Sequence, residues 1–334
     1  MPLNYGDKLV PFTPSAIQPR RKLTVCVTMN SGMMPAALFA SAISTLLLDS
    51  PLPLPFVLVT TGVLGAIIGS FLNVVIHRLP AEESIVFPNS RCPACSSAIA
   101  SYDNIPILSY LILRGRCRSC KNGISIRYPA VELLTALLFV VVAWRDGLSI
   151  VLPFDLVFVS ALVALIFIDA EHMILPNAIT YPGIVFALIA RIVIPLVGAT
   201  SHFDDLEMLT RGMLHGMPVW AASVIGGIIG GLIGGGSLWL MGWTWEKLRG
   251  IEAMGLGDVK MMFMVGAYFG WRLTILTIFL GVLSGSVIGI GLMVRQGRRD
   301  MQMLLPFGVF LGIGAIAALL IGPQIVEWYA GQFR

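Results

Sequence analysis

Apolar runs with few charges, most of them near twenty residues and the second and sixth shorter, recur along this chain, and a run of about twenty residues wound as a helix matches the hydrocarbon thickness of a bilayer. Eight stand out, at 56–76, 129–144, 150–168, 179–197, 217–241, 259–271, 273–294 and 306–325. Only 12% of the 334 residues are charged, and 57% are hydrophobic. Soluble domains carry about 25% charged residues. The expectation is an all-α polytopic membrane protein with about eight transmembrane helices. A weaker apolar stretch follows "RRK" at 20–22 and ends in "DSPLPLP", through which no helix continues. Residues 34–55 therefore read as an interfacial or anchor segment and 1–33 as a disordered extension, with Met33 or Met34 as an alternative start.

Orientation follows from the basic residues of the loops. The segment after the first span carries Arg78, Arg91, Arg114, Arg116, Arg118, Lys121 and Arg127, which places it in the cytoplasm. The connections then alternate. "DAEHMILPN", "WEKLRGIEAMGLGD" and "RQGRRD" fall inside, while 198–216, with Asp204, Asp205 and Glu207 against Arg211, falls outside. The basic residues are spread over separate loops, so the net charge of +4 implies no nucleic-acid partner.

The loop between the first two spans contains Cys92, Cys95, Cys117 and Cys120, as two CxxC pairs. Two residues between cysteines let both thiolates face one ion, and two such knuckles complete a tetrahedral four-sulfur site. The expectation is structural zinc in a small zinc-ribbon-like domain over 77–128. Disulfides, an iron–sulfur site and a redox dithiol are the alternatives, and a cytoplasmic position disfavours disulfides.

Two acids stand at span boundaries. Asp169 ends the third span in "LIFIDAEHMILPN", and Asp258 opens the sixth in "GLGDVK". Asp258 alone reads equally well as a helix N-cap. Asp169 is a poorer cap, because an acid at a helix C-terminus opposes the dipole. Taken together, two carboxylates at one depth on different helices are the minimum equipment for aspartic proteolysis. One deprotonates a water while the other, protonated, polarises the scissile carbonyl. Gly255 and Gly257 would let a peptide backbone approach Asp258. Glu171 is a candidate for attracting basic residues of a substrate, and Asn73, near the inner end of the first span, for lining its path. Glu132, His172 and Lys260 remain without a fixed role. The glycine run at 226–236 reads as close helix packing.

These residues resemble a known family. "GLGDVK" resembles the GxGD signature of intramembrane aspartyl proteases, and "IDAEHMILPN" the first aspartate motif of the type IV prepilin peptidases. "GSFLNVVIHRLP", the cysteine loop, "ISIRYPAVE" and "LPFGVFLGIG" resemble that family's other landmarks in its order. One departure is Asn177, where the family commonly has Asp after Leu-Pro.

The resemblance implies a bifunctional enzyme of the bacterial inner membrane, with its active site facing the cytoplasm. It would cleave the leader of type IV prepilins, or of type II secretion pseudopilins, after a glycine. It would then N-methylate the new terminus using S-adenosylmethionine. Asp169 and Asp258 would be catalytic, within a peptidase core over 129–325 followed by a tail at 326–334. The alternative from another class is a transporter or assembly scaffold with a structural zinc domain. No glycine-rich nucleotide loop after a strand marks where the methyl donor would bind.

Overall fold

A computed structural model describes residues 52–332, apart from 88–89, 93, 204, 213, 251–254 and 297–305. The extension at 1–33 and all but the end of the 34–55 segment lie outside the described residues. Among the described residues there are ten α-helices: α1 (Leu54–Arg78), α2 (Leu108–Ile112), α3 (Arg127–Asp146), α4 (Leu152–His172), α5 (Asn177–Leu196), α6 (Leu206–Arg211), α7 (Val219–Arg249), α8 (Leu256–Phe269), α9 (Trp271–Gln296) and α10 (Phe307–Gly331). Proline marks where several begin. Pro53, Pro176, Pro218 and Pro306 are the N-caps of α1, α5, α7 and α10. A cap residue keeps extended backbone, and proline's missing N–H costs nothing where the ladder has not yet started.

Each of the eight apolar runs is helical, but among the described residues only seven helices are long and apolar enough to cross a membrane. The eighth, α8, has 14 residues and is about 21 Å long, short of the roughly 30 Å hydrocarbon layer. It ends at Gly270, whose φ of +80° is a left-handed turn, and α9 starts at the next residue. Its residues Met261, Met262 and Met264–Phe269 are buried. It is a half-length central helix packed against α5 and α7 and touched by α9 and α10.

Glycine makes that burial possible. A Cβ on Gly230 would lie 2.2 Å from the Gly266 carbonyl oxygen, and one on Gly266 would lie 2.1 Å from the Gly230 oxygen. The α7 and α8 backbones are in direct contact there, as the glycine run suggested. A second close pair joins α1 to α3, where a Cβ on Gly69 would lie 2.7 Å from Glu132 Cα.

Buried ions fasten the end of the bundle opposite Asp169. Asp155, in the first turn of α4, is fully buried and accepts hydrogen bonds from Arg145 Nη2 and Tyr268 Oη, each at 2.5 Å. Arg191 of α5 is fully buried and bonds Asp205 at 2.9 Å, and its guanidinium lies 4.2 Å from the Phe203 ring centre. Asp205 belongs to a loop read from sequence as exterior charge; it is in fact the counter-ion that lets Arg191 sit inside the bundle.

Candidate active site

Three helix ends meet where the two acids lie. Asp169 is in the last turn of α4, which closes at Met173 with a left-handed φ of +52°. Asp258 is the third residue of α8, whose N-cap is Gly255, and no side chain caps that helix. The capping explanation for Asp258 therefore does not apply. The third end is the start of α10, where Pro306 in extended backbone is followed by Phe307, Gly308 and Val309.

Asp169 is 5% exposed and accepts a 3.0 Å hydrogen bond from the Val309 amide. A carboxylate at a helix N-terminus faces free N–H groups and the positive end of the dipole, so its position is fixed. Gly308 separates the two acids. A Cβ added there would lie 2.8 Å from Asp169 Oδ2 and 3.1 Å from Asp258 Oδ1, so those oxygens are within about 6 Å of each other. Asp258 is half-buried. The pair thus has one anchored carboxylate and one more open carboxylate, facing each other across a backbone stripped of its side chain. Like-charge repulsion at this range favours one proton shared by the pair.

The neighbouring candidates occupy definite positions. Among the described residues, nothing lies nearer to a Cβ built on Gly255 than the Gly257 amide at 3.9 Å. Gly257 faces protein instead, since its Cβ would lie 3.0 Å from Leu175 Cβ, so its small size serves the packing of the "ILPN" loop. Glu171 is ion-paired with Arg127 at the start of α3 and lies 3.9 Å from His172 Nε2. Asn73 is buried and donates from Nδ2 to the carbonyls of Tyr128 at 3.0 Å and Gly69 at 3.3 Å, tying α1 to α3. Lys260 donates to Asn177 Oδ1 at 2.8 Å and lies 5.3 Å over the Tyr181 ring, so it points along α5. Sequence reasoning gave no role to Gly308 and Val309. Their signal was the Pro-x-Gly at the head of the last apolar run, whose partner is 140 residues away.

The cysteine loop forms two matching turns. Isolated bridges join Arg91 to Ala98 and Arg116 to Gly123, and between them Ser96 and Lys121 adopt φ of +55° and +61°. In each turn the first cysteine accepts from the residue four on, at 2.8 Å for Ser96 and 3.0 Å for Lys121. The four sulfur atoms lie within 4.8 Å of one another, with Cys92 Sγ and Cys120 Sγ 3.8 Å apart. A tetrahedral ion with bonds of about 2.3 Å to sulfur sets neighbouring sulfurs about 3.8 Å apart. The donor set and its dimensions fit a closed four-thiolate site. Among the described residues, these turns are the only β-like pairing.

Residues 63–146 match the family model for the bacterial peptidase A24 N-terminal domain, and residues 156–290 match that of the type IV leader peptidase family. The chain belongs to the type IV leader peptidase family. Similar proteins named prepilin leader peptidase/N-methyltransferase occur in Pseudomonas aeruginosa (37% identity, covering 83% of this chain and 94% of that protein), in Aeromonas salmonicida (37%, 85% and 98%) and in Myxococcus xanthus (40%, 73% and 65%). No solved structure matches the chain. The first family region takes in most of α1, the cysteine turns and α3, and the second runs from α4 into α9. The α10 amides that hold Asp169 lie beyond the second region. Membership leaves the transporter and scaffold alternatives without support.

Proposed function

We propose that this chain is a membrane aspartyl endopeptidase of the bacterial inner membrane. It removes the leader of type IV prepilins or type II secretion pseudopilins after a glycine at the cytoplasmic face, and N-methylates the new terminus. The observation carrying the peptidase reading is the convergence of Asp169 and Asp258 on Gly308. In the reaction, the ionised carboxylate of the pair takes a proton from a water placed between them. The resulting hydroxide attacks the scissile carbonyl carbon, while the protonated partner gives its proton to the carbonyl oxygen. Collapse of the tetrahedral intermediate breaks the C–N bond as the carboxyl that took the water's proton passes it to the leaving amine and its partner takes a proton back from the gem-diol hydroxyl. The Val309 amide keeps Asp169 from rotating away, and Gly308 leaves the space between the carboxylates free.

Orientation supports the same substrate. The loop carrying seven basic residues precedes α3, and its side is where both acids lie in the alternating topology. A prepilin has a cytoplasmic leader followed by one apolar helix, so its cleavage site reaches that depth. We further propose that the cysteine module over 77–128 binds one structural zinc, with 129–325 as the peptidase core. Zinc held by four thiolates has no open position and supplies folding energy rather than chemistry. The methyl donor would be S-adenosylmethionine.

The test is leader removal from a purified prepilin by the wild type, Asp169→Asn and Asp258→Asn. Each variant should lose at least roughly a thousandfold in rate, as removal of a unit-acting catalytic group does. Wild-type cleavage by either one ends the dyad assignment. Labelled methyl donor in the same assay reports the second activity. Metal analysis of a Cys92→Ser, Cys117→Ser variant should find no stoichiometric zinc.

A further inference from the structure

The short helix α2 has an apolar face that no element among the described residues covers. Leu108, Leu111 and Ile112 are 50%, 65% and 66% exposed and share one side at i, i+3 and i+4 spacing. The opposite side is fixed inward by Ser109, which accepts from the Ile105 amide and donates to the Tyr102 carbonyl, each at 3.1 Å. Rotation cannot hide the apolar face without breaking both bonds.

The depth of this helix is also fixed. Its N-cap residue, Ile107, donates its amide to Glu132 Oε2 at 2.7 Å, with a φ of +62°. Glu132 belongs to the second turn of α3, a membrane-spanning helix. The start of α2 is therefore level with the inside end of that span. Ile126, 74% exposed, stands beside the same boundary, one residue before α3 begins.

Positive charge adjoins the apolar face. Leu113, Arg114, Arg116, Cys117 and Lys121 line a recess of about 350 Å³ next to the end of α2. The three basic side chains are exposed, and none of them pairs with a carboxylate among the described residues. Arg118, by contrast, is paired with Asp103 at 2.6 Å.

We infer that α2 and this basic recess form a monotopic docking surface for the leaflet that surrounds α1 and α3, and that its charged part takes the headgroup of an anionic phospholipid. Two arguments single out lipid as the occupant. The surface begins at the depth where the spanning helix α3 begins, to which Ile107 is bonded through Glu132, and its charge complements an anionic leaflet. Apolar side chains at i, i+3 and i+4 beside Arg and Lys are how a helix lies in the interface plane. The cysteine module would then lie against the membrane rather than stand in the cytosol.

The test uses the full chain in nanodiscs of phosphatidylethanolamine with or without phosphatidylglycerol, which expose both faces. The result is independent of the orientation and of the peptidase assignment. Benzoylphenylalanine replaces Leu111 or Ile112, the sample is irradiated, and adducts are identified by intact mass. Lipid adducts are expected at both positions, enriched in phosphatidylglycerol when it is present. Arg114→Gln, Arg116→Gln and Lys121→Gln together should keep the adducts and lose the enrichment, each charge counting for roughly fivefold. If the triple variant loses its metal, Arg114→Gln alone, three residues from the nearest cysteine, replaces it with an expected loss of roughly fivefold. Absence of lipid adducts, enrichment unchanged in the charge variant, or adducts that move to an added prepilin would each overturn the inference.

Discussion

The Asp169 carboxylate is held by the Val309 amide at 3.0 Å, so one half of the acid pair is positioned by the amino end of the last helix. That bond links two regions that are far apart in sequence. It makes the start of α10 part of the candidate site, although neither acid belongs to that helix.

Gly308→Ala tests this arrangement directly. The new methyl would sit 2.8 Å from one carboxylate oxygen and 3.1 Å from the other, too close for both to stay. A displacement near 1 Å at a reacting group can cost about a hundredfold. Leader cleavage should fall by at least that factor while helix content is unchanged. Cleavage within a few fold of wild type would show that the acids do not work across Gly308.

Lys260 should prove structural. Its ammonium is engaged by Asn177 at 2.8 Å. Lys260→Met should cost about 1 kcal/mol, the usual worth of one hydrogen bond, and leave the pH profile of cleavage in place. Asn177→Asp should strengthen the link and raise the thermal midpoint slightly. A shifted pH profile for Lys260→Met would instead tie its charge to the acid pair.

The buried pair Arg191–Asp205 should be costly to break from one side. Both side chains are fully buried at 2.9 Å. Asp205→Asn leaves a cation without its counter-ion and should destabilise the fold by about 3–5 kcal/mol. Adding Arg191→Met removes the stranded charge, so the double variant should be more stable than Asp205→Asn alone. Unfolding titrations in mixed micelles compare them. If the losses simply add, the two residues are not coupled.

His202 should set an acid limit on stability. Burial, reinforced by the nearby Arg145 charge and by Arg191 against the opposing Asp146, pushes its pKa down to about 4. Asp155 also faces it, at 3.5 Å. The folded state thus holds a neutral imidazole, while the unfolded chain takes up a proton near 6.5. Stability is full above that value and falls as the pH drops from about 6.5 to about 4, by on the order of 3 kcal/mol. His202→Gln should flatten this part of the stability curve. An unchanged slope would mean that the imidazole is not sequestered in the fold.

Much of the molecule was legible as sequence because each feature has a local cause. An uncharged run of sufficient length must satisfy its backbone internally in lipid, and it does so as a helix. Proline before those runs marks their starts, and two CxxC pairs bring their thiolates together through turns closed within a few residues. Other features depend on which helix ends meet. Nothing local shows that Gly308 must lack a side chain because two acids from α4 and α8 face it. Nothing local shows that Gly257 serves Leu175, that Glu171 is already taken by Arg127, or that Asp205 neutralises an arginine inside the bundle. Nor does an apolar run show that α8 is a buried half-length helix, because its length is set by the turn at Gly270 and its setting by the glycine contacts with α7. The sequence determined the elements and the chemistry available to them, through periodicity and short-range bonding. The tertiary structure decided which charges pair and which glycines yield space, because those depend on contacts between residues distant in the chain.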